Sequence, residues 1–203
     1  MCGRYTLTRT NLGEVVKELH AELDPSAEQL HLPRYNIGPG QACAIARVGD
    51  DTPLLTAAVW GLRLGPRLVI NLRSETAGHR RDLQRCVVPA DGFYEWTGEK
   101  GHKRPIWFHR PDGELLFFAG LADDAGTFAI VTAPAAGPVL EVHDRTPVVL
   151  TAPKARAWLT QGGPPKGAAV KLVGVEVSPR ANSVKNDDAE LLTRRPSQVR
   201  VPD

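Results

Sequence analysis

Apolar residues recur at helical spacing near the start of the chain, at Leu12, Val15, Val16 and Leu19. Thr10 or Asn11 can cap the first turn and Pro25 lies beyond the far end, so the pattern predicts an amphipathic helix over residues 11–22. A shorter helix is predicted over 153–160, where Pro153 suits a first turn and Ala155, Ala157 and Leu159 favour helix. Elsewhere the patterning is that of short strands. Runs of β-type residues occur at 44–48, 54–60, 68–70, 86–88, 127–132, 148–150 and 169–177. Residues 106–121, IWFHRPDGELLFFAGL, read as a hairpin in which Pro111-Asp112-Gly113 supplies the turn.

Many short strands with only a few helices do not give the alternating rhythm of a parallel doubly wound sheet. The expectation is an α+β fold, a single compact domain with a largely antiparallel, barrel-like β core flanked by a few helices. That domain is expected to span residues 1–192. The tail 193–203 carries charges and prolines without apolar periodicity and is expected to be flexible, and QGGPPKGA at 161–168 reads as a loop.

At 203 residues and 42% hydrophobic, the chain can bury a substantial core. A formal charge of only +2 gives no overall polybasic character, yet residues 61–110 hold ten Lys/Arg against five Asp/Glu. Such a basic middle suits a groove that tracks a phosphate backbone, and equally a solvated face. The three cysteines Cys2, Cys43 and Cys86 are an odd number with no CxxC pair, which argues against a disulfide framework or a closed zinc site. A reducing cytoplasmic setting is expected, nucleoid-associated in a prokaryote. The first residues, MCGRYTLTRT, lack the long apolar run of a signal peptide and no stretch reaches membrane length, so a protein without a membrane span, metal or cofactor and in a monomeric state is expected.

Four places carry possible chemistry. Removal of Met1 would leave Cys2 with a free α-amine, which titrates near 7.7–8.0 and is therefore partly unprotonated at neutral pH. Such an amine can attack an aldehyde, and the neighbouring thiol can close onto the imine carbon as a five-membered thiazolidine. Glu95, set among Phe93, Tyr94 and Trp96 in CVVPADGFYEW, risks desolvation and a raised pKa. His143, in EVHDRTPVVL, suits proton transfer near neutral pH. Asn71 and Arg73 in NLRSET fall on the same side of an extended segment. Taken singly, each also fits a plainer role: a small terminal residue, a surface carboxylate, a structural histidine, a turn ending in a helix cap.

Together with CGRY, PRYNIGPGQ, WGL, the TAPA segment and VSPRANSVKND, these blocks resemble the SOS-response-associated peptidase (SRAP) family of abasic-site processing proteins, in that family's order from Cys2 to about Leu191. The resemblance implies a β-barrel-like α+β fold and a basic cleft for single-stranded DNA. It implies a covalent thiazolidine between mature Cys2 and the aldehyde of an abasic site. Matched position by position, Cys2 is the nucleophile, Asn71 the polar residue beside it, Glu95 the catalytic carboxylate and His143 the catalytic histidine. Arg4, Arg73 and Arg81 match DNA-phosphate contacts, Thr132 lies in the active-site segment, and Trp60 and Pro39 are expected against bases. Two departures stand out: only ten residues separate Trp60 from Asn71, without the family's second Trp, and Thr146 stands where the family typically has Met. Two other readings remain open from the sequence, an N-terminal-nucleophile thiol peptidase or hydrolase and a non-covalent single-stranded DNA-binding protein.

Overall fold

The computed structural model describes residues 2–99, 101–161, 165 and 167–193. Two sheets dominate. The larger closes on itself: Leu54–Trp60, Ala42–Arg47, Gln84–Ala90, Leu116–Ala122 and Thr127–Pro134 pair in succession, and Thr127–Pro134 returns in parallel to the first strand through Thr127 opposite Val59 and Phe128 opposite Trp60. Closure removes the exposed edges of these five strands and creates a barrel-like core, as expected. Arg145–Pro147 and Asn71–Arg73 flank Thr127–Pro134.

The second sheet is antiparallel and runs Val173–Glu176, Arg104–His109, Gly92–Thr97, Arg4–Leu7, Arg34–Ile37. Its alternating residues Tyr5, Phe93 and Phe108 pack on the barrel. Tyr5 meets Trp60 edge-on at 5.4 Å and Phe118 at 6.1 Å, while Phe93 stacks on Phe108 at 5.4 Å. The rings of this cluster are wholly or almost wholly buried. Truncating one to alanine in such a setting costs about 3–5 kcal/mol. The opposite face carries Tyr94, Trp96 and Trp107, covered by Val177, Ala181 and Leu191 of the late segment.

The strand that bears the N-terminus is locked down by Asp91. Its buried carboxylate accepts the Thr6 hydroxyl, the Thr8 amide at 2.6 Å and the Thr8 hydroxyl at 2.6 Å. Gly92, next to it, is required by crowding: a Cβ there would lie 2.2 Å from the Trp107 indole nitrogen. Pro89 and Ala90, expected in a turn, are strand residues instead, and Asp91 alone links their strand to Gly92–Thr97, in which Tyr94 faces Arg4.

Several expected elements shift. The first helix is Gly13–Leu19, with the Asn11 side chain accepting the Gly13 amide and a left-handed His20 ending it. Pro25 does not merely follow that helix but opens another, Pro25–Leu30, behind the capping carboxylate of Asp24. The second expected helix is present as Ala152–Thr160. Residues 106–121 do not form a hairpin. Arg104–His109 pairs with Gly92–Thr97, whereas Leu116–Ala122 belongs to the barrel, so the Pro111-Asp112-Gly113 turn carries the chain from one sheet to the other. Of the strand expected at 169–177, only Val173–Glu176 is extended and paired. Most of the 161–168 loop, and the 193–203 tail apart from Thr193, lie outside the described residues.

Candidate active site

Cys2 is fully buried, just ahead of the Arg4–Leu7 strand, and its thiol donates to the Arg4 carbonyl at 3.6 Å. Burial, reinforced by the negative charge of Glu95, pushes the thiol pKa well above its ordinary value. The Cys2 carbonyl accepts the Asn71 side-chain amide at 2.8 Å. Asn71 heads a three-residue strand whose parallel pairing with Ile130 fixes it to the barrel.

Glu95 is 3% exposed on the Gly92–Thr97 strand, the direct neighbour of the strand that begins at Arg4. Burial pushes its carboxyl up to about 7, with the chain's α-amino charge opposing the rise. His143 lies in the connection between the short Gly137–Val139 turn and Arg145–Pro147. Burial lowers its pKa, as does the α-amino charge. Asp144 and Lys103 act on Glu95 and His143 alike, which places both in one electrostatic neighbourhood. The site therefore gathers Cys2, Asn71, Glu95 and His143 from four separate stretches of chain.

The His143 ring has two contacts at one nitrogen. Nδ1 accepts the Arg145 amide at 2.9 Å and lies 2.8 Å from an Asp144 carboxylate oxygen. These alternate with protonation state: a neutral ring whose Nδ1 accepts the amide carries its proton on Nε2, whereas contact with Asp144 as an ion pair needs the proton on Nδ1. The lowered pKa favours the first arrangement.

The predicted DNA contacts divide. Arg73 is exposed at the end of its strand, leading into the short helix Ser74–Ala77. Arg81 is also exposed and lines a cleft of about 920 Å³ with Glu75, His79, Arg80 and Arg85. Pro39 is half-buried in a tight turn closed by Gln41 donating to the Gly38 carbonyl, with Gly40 at φ +82°. Arg4 is half-buried, with long hydrogen bonds to Asn36 and the Ala181 carbonyl and its guanidinium over Trp96.

Trp60 corrects the expectation of base stacking. It is fully buried, stacked on Phe128 at 6.4 Å and donating from its indole to the Ile70 carbonyl at 2.9 Å, so it builds the barrel wall and presents no face to a ligand. Thr132 is likewise fully buried, its hydroxyl 3.4 Å from the Leu72 carbonyl. It supports the site rather than contacting a bound strand.

One residue was missed by sequence reasoning. Arg145, only 9% exposed, holds Glu75 with both guanidinium nitrogens at 2.6 and 2.9 Å and donates to the Thr132 carbonyl at 2.6 Å. A charge two positions after the histidine, just ahead of the apolar run at 147–150, was the available signal. Among the described residues no cluster of three or more His, Cys, Asp or Glu is placed to hold a metal ion, and no helix is long and apolar enough to cross a membrane.

Fold and site define a class: a barrel joined to a second sheet, with a buried second-position cysteine whose carbonyl accepts an amide and whose thiol lies in the field of a buried carboxyl. The chain belongs to the SOS response associated peptidase (SRAP) family, whose profile matches residues 1–184. It is 31% identical to the abasic site processing protein YedK of Escherichia coli (strain K12), over 95% of this chain and 99% of that protein. It is 30% identical to the abasic site processing protein YoaM of Bacillus subtilis (strain 168), over 95% of this chain and 97% of that one. A crystal structure of a protein from Bacteroides thetaiotaomicron shares the fold with a TM-score of 0.76 at 17% identity, covering 96% of this chain and 100% of that one.

Proposed function

We propose that this protein processes abasic sites in single-stranded DNA by joining the lesion covalently to its mature N-terminal cysteine. The observation that carries the reading is the setting of Cys2: a buried thiol whose own carbonyl is held by Asn71, in the field of a carboxyl that titrates near 7. The relatives named as abasic site processing proteins support the substrate.

Once Met1 is removed, the Cys2 α-amine adds to the C1′ aldehyde of the ring-opened sugar. The carbinolamine loses water to give an imine. The thiol then adds across the C=N bond, sulfur bonding to carbon and the thiol proton passing to nitrogen, which closes the thiazolidine. Glu95, whose carboxyl is pushed up to about 7 by burial in the unprocessed chain, is suited to donate a proton as water leaves and to accept one as the amine attacks. His143, mostly neutral, serves as the partner base. Arg73 and Arg81 hold phosphates without reading sequence.

The raised thiol pKa favours this order over a thiol peptidase. A peptidase needs a thiolate as first nucleophile, whereas here the amine attacks first and the thiol adds to an already activated carbon. The test is a denaturing gel of Met1-processed protein with labelled single strands. A covalent species is expected with an abasic strand and none with an intact strand of the same sequence; equal or absent product in both lanes overturns the reading.

A further inference from the structure

We propose that Glu75 is a positioning residue for this reaction, holding His143 in place through Arg145; the inference rests on the covalent chemistry proposed above. Three observations join. The Glu75 carboxylate grips the Arg145 guanidinium in a two-point pair at 2.6 and 2.9 Å. Arg145 is buried and its third contact is the Thr132 carbonyl at 2.6 Å. The backbone amide of the same Arg145 donates to His143 Nδ1 at 2.9 Å, which sets the ring's tautomer and direction.

Strand pairing shows what the pair spans. Thr132 lies opposite Pro147 on one side and opposite Arg73 on the other, so the strand of Arg145 and the strand of Asn71 flank the same residue. Glu75 follows Asn71 by four positions, on the short helix Ser74–Ala77 that continues its strand. The Glu75–Arg145 pair is thus a strap across Thr132. It ties the segment that carries His143 to the segment that carries Asn71, two site residues far apart in sequence.

The planar two-point grip restrains rotation as well as distance, which a single hydrogen bond or a lysine would not do. If Glu75 is neutralised, the guanidinium loses its charge partner and its two-point grip, and is held by the Thr132 carbonyl alone, about which it can rotate. That movement pulls on the amide that orients His143. Misplacement of an acid/base group on this scale lowers the rate of the chemical step more than it lowers DNA affinity.

The experiment measures covalent product formation on an abasic single strand under protein excess, in wild type, Glu75→Gln, His143→Ala and the double variant. Each gives a saturated first-order rate and a half-saturating concentration. The expected result is a saturated rate about tenfold lower in Glu75→Gln with the half-saturating concentration within twofold, and no further loss when Glu75→Gln is added to His143→Ala. An unchanged rate, an equal fold-loss in both backgrounds, or tighter DNA binding in Glu75→Gln overturns the proposal; the last outcome would mean that Glu75 competes with DNA for Arg145. If Glu75→Gln fails to fold, Glu75→Asp, which keeps the charge but draws it back by one methylene, is read in the same way. Absence of product from wild type would instead defeat the parent reading of the site.

Discussion

The side-chain amide of Asn71 donates to the main-chain carbonyl of Cys2 at 2.8 Å, so the first strand of the second sheet is pinned to the barrel at the residue proposed to react. The contact fixes the Cys2 backbone without adding charge. It leaves Asn71 Oδ1 buried and without a hydrogen-bond partner among the described residues.

Asn71→Asp tests that contact with almost no change of shape. It replaces the donor by an acceptor facing a carbonyl, and the saturated rate of covalent product formation is expected to fall about tenfold or more, read by single-turnover kinetics on an abasic strand.

Glu95→Gln is expected to slow product formation about a hundredfold while DNA affinity holds, because the carboxyl moves protons and does not meet phosphates. Wild type should show a limb near pH 7 in its rate profile, and the variant should lack it. Stability changes with the same group. The folded-state pKa, at about 7, lies above the ordinary carboxyl value, so the folded protein holds this proton more tightly and stability falls as pH rises from the ordinary carboxyl range to about 7. Thermal melts across that window should show a shallower fall in Glu95→Gln than in wild type.

Thr146→Val should stabilise the protein. The Thr146 hydroxyl is buried without a hydrogen-bond partner among the described residues, and valine keeps the shape while removing the unmet polar group. A gain of about 1 kcal/mol is expected, seen as a rise of about 2–4 °C in Tm, with product formation unchanged.

Arg73→Ala is expected to weaken binding to every single strand alike and to reduce the slope of log affinity against log salt by about one unit. Binding titrations at several salt concentrations check this, and a variant that loses affinity for one sequence only would point to a base contact.

Much of this was legible in the sequence, for reasons specific to each part. The barrel strands declared themselves as apolar runs, and Leu54–Trp60 matches the expected boundaries. Order along the chain did not reveal pairing: a good turn at 111–113 joins strands of different sheets, because Trp107 and Phe108 find their partners in Gly92–Thr97 and Val173–Glu176. The candidate site residues were singled out through their blocks, and the desolvation expected of Glu95 among its aromatic neighbours agrees with its burial, whereas the burial of Trp60 was not foreseen. Trp60 had the right chemistry for stacking and is consumed by the core instead. Arg145 was passed over because a charge beside a histidine looks like surface, whereas its partners, Glu75 on the short helix Ser74–Ala77 and Thr132 on a barrel strand, are brought to it only in the folded chain.

The central claim is that Cys2 joins DNA through both its amine and its thiol, and intact-mass analysis tests it most directly. Protein lacking Met1, incubated with an abasic single strand and denatured without reductant, is predicted to give a species weighing protein plus oligonucleotide minus one water, and Cys2→Ala is predicted to give no lasting adduct. No such species from the processed protein, or an undiminished one from Cys2→Ala, would contradict the account.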